Sequence, residues 1–388
     1  FAAAWVLGGF IFFSLSSTHL PHYIGPLFPG AAILAACYWN RCVSDQAAPL
    51  ISTLGVTLPL ELGGKRAGRI AVAQADVSVT QAEFADALRQ KRAEAAQAYV
   101  NALASRLVLS RKQQTLASLE RLVAVNEKRL QSGDIGEVPL IQSRVESQRF
   151  RADVLAAEAE LVSADLALRL NLGQAAPPRE VPLSITGELR IPPRTFDAEA
   201  LVNSALAHRP DVLAKRRAED AAAARVSLAQ RNRMVDVSLN VSWQRSLYSE
   251  PFASPQYDAL TAVASLPLPL SRVYRGELDA ALRGAEQAAA TQQATQLRAE
   301  VEVQQALVRY RSAVKQLGLY TQGVLADAER VSTATLYSYQ RGGATLLEVL
   351  NAQRTVEEVH LAYYGALAEH ARQLIAVEQA AGIWDVGF

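Results

Sequence analysis

Residues 339–354 read YQRGGATLLEVLNAQR, and residues 130–144 read LQSGDIGEVPLIQSR. Gln131 and Gly133 of the second stretch stand 209 positions before Gln340 and Gly342 of the first. Each phrase sits between two long stretches that lack helix breakers. Proline is absent from 60–138, 140–176, 211–250 and 270–388, and glycine from 69–132. The glycine-free run alone would make a helix of roughly 96 Å at 1.5 Å per residue. A glycine after such a helix supplies the left-handed residue that ends it. Pro139 suits the first turn of the next helix in one phrase. Thr345 suits the cap of the helix that begins LLEVL in the other. The repeated phrase therefore predicts the turn of a helical hairpin, written twice.

The repeat extends well beyond the turn. LPLELGGKRAGRI (58–70) aligns with LPLPLSRVYRGEL (266–278) at an offset of 208. Leu109, Leu116 and Val123 meet Leu317, Val324 and Val331 at that same offset, whereas Gly133 and Gly173 meet Gly342 and Gly382 at 209. One residue has thus been inserted in the second copy, placed by this alignment after Val331. The series Leu109, Leu116, Val123, Leu130 and the series Val303, Tyr310, Leu317, Val324, Val331 both step by seven, the spacing of a left-handed supercoiled seam.

Strands precede the hairpins. VDVSLNVSW (235–243) alternates strictly, with Val235, Val237, Leu239, Val241 and Trp243 on one face. YDALTAVASLPL (257–268) puts Leu260, Ala262, Ala264 and Leu266 on one face, and LISTLGVTLPL (50–60) does so with Leu54, Val56 and Leu58. Such segments suit a half-buried sheet edge and also a tilted membrane-barrel strand of about 9–11 residues. The expected fold is mainly α with a small β part: long coiled helical hairpins in a duplicated strand–hairpin unit. Its divisions are a first repeat over 50–174, a Pro-rich linker with one short strand over 175–200, and a second helix–strand–strand–hairpin repeat over 201–388. Within the last, Pro210 and Asp211 suit a helix start.

Composition excludes several classes. Lys+Arg number 39 and Asp+Glu 38, so there is no basic excess for nucleic acid. The five histidines, at 19, 22, 208, 360 and 370, form no HExxH, and His360 and His370 are expected at solvated positions of one helix face. Gly63-Gly64-Lys65-Arg66 lacks the residues of a phosphate loop, and no Gly-x-Ser-x-Gly elbow occurs. No enzyme, cofactor or metal site is expected. A structural coiled-coil scaffold or a periplasmic adaptor stands as the alternative reading, although an adaptor would carry one hairpin rather than two.

Four phrases together resemble the TolC-type outer-membrane efflux channels, in particular the heavy-metal-exporting branch: ALAHRPDV (205–212), LPLELGGKRAGRIAVAQA (58–75), RLQSGDIGEVPLIQSR (129–144) and YQRGGATLLEVLNAQR. The resemblance covers about residues 50–388. It implies a homotrimer in the outer membrane of a Gram-negative bacterium, with pooled strands forming a β-barrel in lipid and helices forming an α-barrel in the periplasm. It further implies a periplasmic adaptor and an inner-membrane proton-driven pump as partners, no cofactor, and passive export of heavy-metal cations. Carried over by position, Gly133 and Gly342 shape the hairpin ends, and Tyr339, Glu348 and Asn351 are candidates for the interhelical contacts that close the aperture. Pro139 stands where the family often has an acidic residue.

Residues 1–49 form an apolar segment foreign to this pattern. Within 1–45, Phe13-Ser14-Leu15-Ser16 and Leu20-Pro21-His22-Tyr23 resemble a piece of a membrane glycosyltransferase of the aminoarabinose-transferase or protein-mannosyltransferase type. Leu34-Ala35-Ala36-Cys37 matches a lipoprotein cleavage box, which leaves a lipid anchor open. Three strands per chain give nine in a trimer, an odd number for an antiparallel barrel. The expectation is therefore an incomplete or fused version of a channel.

Overall fold

A computed structural model describes residues 51–175, 183, 185–246, 257–268 and 274–385. The transferase-like phrase and Cys37 lie outside the described residues. The chain divides into two compact units that cut across the sequence repeats: one comprises 1–70 and 225–281, the other 71–224 and 282–388. Each repeat contributes strand to the first and hairpin to the second.

The first unit holds an antiparallel sheet in the order β1 (Ile51–Leu60), β2 (Val237–Ser246), β3 (Tyr257–Ser265). Pairing aligns Leu54 with Trp243 and Leu260, Val56 with Val241 and Ala262, and Leu58 with Leu239 and Ala264. Side chains alternate faces along a strand, so these nine share one face. That face is exposed; Leu54 retains 66% of its accessible surface and Leu260 75%. Glycine, serine, threonine and asparagine dominate the other face, where Asn240 Nδ2 donates to Thr57 Oγ1 at 2.8 Å. β2 starts two residues later than the alternation suggests because Asp236 is occupied elsewhere. Its carboxylate accepts the Leu62 N–H at 3.0 Å and the Lys65 ammonium at 2.7 Å. The GGKR phrase is thus a strand-to-helix turn: Lys65 opens helix α1 (Lys65–Gln131) and is tied back to the sheet strand's entrance.

The second unit is helical. α1 has 67 residues, about 100 Å of helix. α2 (Glu137–Asn171) follows; then α3 (Ala198–His208) and α4 (Pro210–Asn232), which break at Arg209; then α5 (Arg275–Leu319), a π turn (Tyr320–Val324), α6 (Leu325–Gln340) and α7 (Leu346–Ala381). The segment over 185–197 forms no strand, contrary to expectation. Instead Ile185 and Leu189 drop into a core with Val100, Leu103, Leu168, Leu367 and Ile375, so burial of apolar side chains holds the connection down.

The π turn corrects the alignment. Val303, Tyr310 and Leu317 are buried as the seven-residue spacing requires, but Val324 and Val331 are exposed. Across the turn the inward series continues through Leu325, Ser332 and Tyr339, one residue late, since an i→i+5 turn adds one residue to the helix. The insertion therefore lies between Leu317 and Leu325, and Leu116, Val123 and Leu130 of the first copy correspond to Leu325, Ser332 and Tyr339.

The ALAHRPDV phrase is built around a buried guanidinium. Arg209 is 2% exposed and forks onto Asp211, at 3.0 and 2.7 Å, while also reaching Glu302 at 2.7 Å. Its Nη1 donates to the Ala380 carbonyl, and Arg89 Nη1 donates to that of Gln379 at 2.7 Å. Arg209 thereby satisfies the Ala380 carbonyl at the end of α7, and Arg89 adds a second donor to the Gln379 carbonyl, which also accepts the Gly382 N–H. Burial raises the pKa of Asp211, but hydrogen bonds and charge from Arg209 outweigh it and hold the carboxyl below its usual range.

The histidines depart from expectation. His370 is fully buried against Tyr310, ring centres 5.4 Å apart, and neither ring nitrogen has a partner among the described residues. His360 is largely covered, with Nε2 at 2.9 Å from Glu329. Helix α7 is packed on several sides at these positions, which a one-sided amphipathic reading does not foresee. Burial pushes both imidazoles below their ordinary pKa, with the Arg111 charge adding to the effect at His360. An unfolded chain takes up these protons first, near pH 6.5. Stability is therefore complete above that value and is lost as pH falls toward the folded-state pKa. Denaturant midpoints measured from pH 7.5 to 5 should decline for the parent chain, by up to about 1.4 kcal/mol per pH unit for each such proton. His370→Leu should flatten that decline.

Candidate functional site: the two hairpin ends

Both hairpin ends are closed by the same backbone hydrogen bonds. At the first, the Gly133 N–H donates to Leu130 O at 3.1 Å and the Asp134 N–H to Arg129 O at 2.8 Å. At the second, the Gly342 N–H donates to Tyr339 O at 3.0 Å and the Gly343 N–H to Ser338 O at 2.9 Å. This pair of bonds, five-to-two and six-to-one, is the Schellman ending, which needs a left-handed residue. Gly133 and Gly342 supply it with φ of 77° and 78°. The bonds recur where α2 ends at Gly173 and α7 at Gly382.

The helices on the far side of each turn begin differently. Thr345 caps α7: its hydroxyl accepts the Glu348 N–H, and the Glu348 carboxylate accepts the Thr345 N–H at 2.7 Å and its hydroxyl at 2.9 Å. The two residues form a capping box. These bonds from Thr345 lower the Glu348 pKa against the small opposing effect of burial. The matching position in α2 is Pro139, which has no N–H to satisfy, and the cap, Gly136, offers no side chain. One orphan donor is answered in one end and absent from the other.

Of the three residues named for interhelical contacts, the structure gives one that role within the chain. Tyr339 is buried, and its hydroxyl donates to Asn126 Oδ1 at 2.7 Å, joining α6 to α1. Arg129 lies over its ring at 4.9 Å and donates to its carbonyl at 3.2 Å. Leu122, Leu346 and Val349 enclose the pair. Glu348 is exposed and directed to its own cap. Asn351 is exposed, and its carbonyl accepts the Thr355 hydroxyl at 3.0 Å. Sequence reading missed Asn126, fully buried with its Nδ2 unpartnered among the described residues. A polar residue three positions from Arg129 inside an apolar series was the available signal. Surface ion pairs, Arg144–Glu127, Arg151–Glu120 and Arg354–Glu146, link α2 to α1 and α7 along the shafts.

The strand–hairpin pattern, its duplication and these closed ends can be set beside known proteins. The outer membrane efflux protein family profile matches residues 43–174 and 201–383. The chain belongs to that family. A curated relative is the cobalt-zinc-cadmium resistance protein CzcC of Cupriavidus metallidurans, 26% identical over 333 residues, covering 85% of this chain and 77% of the relative. Solved structures share the fold. A membrane protein from Pseudomonas aeruginosa gives a TM-score of 0.70 at 19% identity, covering 91% of this chain and 88% of that one. CusC gives 0.69 at 20%, with coverage of 91% and 88%. VceC of Vibrio cholerae gives 0.67 at 19%, with 91% of each chain covered. The chain is thus an outer-membrane efflux channel component with a periplasmic helical part, not an enzyme, and its family works as trimeric channels in tripartite systems. The scaffold and adaptor alternative is set aside by this match. The profile begins at residue 43 and leaves the glycosyltransferase likeness of 1–45 without support.

Four substitutions probe the ends. Gly342→Ala and Gly133→Ala should each destabilise the chain by about 1–2 kcal/mol, because φ near +78° strains any residue with a Cβ although the space is open. Tyr339→Phe should cost about 1–2 kcal/mol by stranding the buried Asn126 carbonyl oxygen. Adding Asn126→Leu should recover part of that loss in the same denaturation assay, a gain that a purely apolar contact would not give.

Proposed function

We propose that this chain is the outer-membrane conduit of a tripartite system that exports heavy-metal cations. It works as a homotrimer, with a periplasmic adaptor docking at the hairpin ends and an inner-membrane proton-driven pump supplying the energy. The observation that carries the membrane part is the register-matched apolar face of the sheet, from Leu54–Trp243–Leu260 to Leu58–Leu239–Ala264, exposed to whatever surrounds it. In water such a face would be unfavourable; in outer-membrane lipid it is the required surface.

A second exposed face supports the trimer. Val138, Ile141, Val145, Leu155, Leu166 and Leu170 are exposed along α2 at steps of three and four or their sums. That is the spacing of a supercoiled seam, and it lies apart from the α2 seam already buried in the chain through Leu140, Val154 and Leu168. A second copy of the chain supplies a matching helix. At the hairpin ends, Gly133 and Gly342 set the turns that meet the adaptor. Tyr339 holds α6 closed against α1, while Glu348 and Asn351, exposed beside it, face neighbouring copies and the passing ions. Three Glu348 carboxylates around one axis favour cations. The cargo rests on the similarity to CzcC, whose name states cobalt, zinc and cadmium resistance.

Deleting the gene in a metal-tolerant host should lower growth on cobalt, zinc and cadmium salts and raise cell-associated metal, and the wild-type gene should restore both. Unchanged tolerance and metal content, with sensitivity to an organic toxicant instead, would overturn the cargo. A restored phenotype from a chain carrying Val145→Asp and Leu155→Asp, which place charge in the seam, would overturn the trimer contact.

A further inference from the structure

The helix end of the sheet has chemistry that export does not call on. There β1 hands over to α1 through residues 61–64, and α4 hands over to β2 through residues 233–236. The two turns touch. Arg231 Nη1 donates to the Gly64 carbonyl at 3.0 Å, and a Cβ added at Gly63 would lie 2.6 Å from Met234 Sδ. Over 61–69 and 225–236 the sequence carries six basic side chains and two acidic ones. Both acids are taken: Lys65 holds Asp236 at 2.7 Å and Arg69 holds Glu61 at 2.8 Å. Arg66 and Arg233 are exposed and have no hydrogen-bond or ion-pair partner among the described residues.

Apolar side chains accompany these two guanidinium groups. Leu60 pairs with Val237 and continues the apolar face of the sheet. Leu62, two residues further on, is exposed, and so is Met234 beside Gly63. In a water-filled passage nothing would cover them. As a continuation of the lipid-facing strip they have a medium that does. Positive side chains at the edge of an apolar surface are suited to a membrane interface, where the stem lies against hydrocarbon and the charge reaches the headgroups. The helices of this channel component are periplasmic, so the end of the sheet from which α1 departs belongs to the periplasmic leaflet.

We infer that Arg66 and Arg233 form a headgroup site for an anionic glycerophospholipid of that leaflet, with its acyl chains lying along Leu60, Leu62 and Met234. A guanidinium offers a planar fork of donors that matches phosphate oxygens. Lys65, Arg69 and Arg231 fix the two turns, and the remaining pair is left to the lipid. The site rests on the reading of the sheet as embedded in lipid, and it adds a preference for negative headgroups at one end of it.

The test is lipid retention by the purified full chain. The protein is incubated in an uncharged detergent with equal amounts of phosphatidylglycerol and phosphatidylcholine of the same acyl chains. It is then re-isolated by gel filtration, and the retained lipids are counted by mass spectrometry. Phosphatidylglycerol should be favoured by about fivefold for each guanidinium. Arg66→Gln with Arg233→Gln should bring the two lipids to equal retention, whereas Arg66→Lys with Arg233→Lys should keep most of the preference. In the parent chain, salt at about 1 M should abolish the preference, a readout that does not depend on any variant folding. Millimolar inorganic phosphate should leave the lipid bound, because it lacks the chains that the apolar strip holds. Displacement of phosphatidylglycerol by phosphate would overturn the lipid assignment in favour of a free-phosphate site. Equal retention of the two lipids by the parent, or a preference that survives the glutamine substitutions, would overturn the headgroup site while leaving the sheet in lipid. Retention of neither lipid would overturn the lipid-embedded reading as well.

Discussion

Helix α7 is the element against which the helical unit is assembled. Leu374, Ile375 and Val377 are fully buried, and so is the His370 imidazole beside Tyr310 of α5. Apolar burial at roughly 25 cal/mol per Å² favours this arrangement only if neighbours cover α7 along its length. α1 and α5 do so through the two apolar clusters. The irregular segment at 185–197 closes another side with Ile185 and Leu189. At the carbonyl end of α7 the Schellman bonds serve Glu378 and Gln379, and Arg209 and Arg89 add donors to Ala380 and Gln379. The RPD phrase between α3 and α4 makes sense only in this light: Asp211 and Glu302 hold the guanidinium so that one amino group reaches Ala380.

The duplication was legible because its signals are local. A glycine that ends a helix, a proline or threonine that begins one and strict alternation in a strand each act within a few residues. Gly133, Gly342, Thr345 and the faces of β1, β2 and β3 were therefore placed correctly. Whatever depended on distant partners was not legible. The depth of His370 depends on α5 packing over α7. Asn126 stands out locally as a polar residue in an apolar series, but its partner, the Tyr339 hydroxyl, lies 213 residues away in sequence. The position of the inserted residue escaped alignment because Val324 and Val331 are apolar at the expected spacing; only their exposure shows that the turn has rotated them out of the seam.

The two hairpins have kept their backbone and diverged in side chains. All four Schellman endings persist, since each depends on one glycine and on hydrogen bonds that any sequence supplies. Helix starts have separated into a Thr345–Glu348 box and a Gly136–Pro139 start without one. The second copy alone gained a π turn, and it alone contributes a tyrosine to the contact between α6 and α1.

The apolar face of the sheet carries a consequence for how the protein is made. Before insertion, Leu54, Val56, Trp243 and Leu260 face water on strands whose outer edges, along β1 and β3, pair with no further strand among the described residues. Both features invite edge-to-edge aggregation. Insertion of that face into lipid therefore has to outpace the association of one unassembled chain with another.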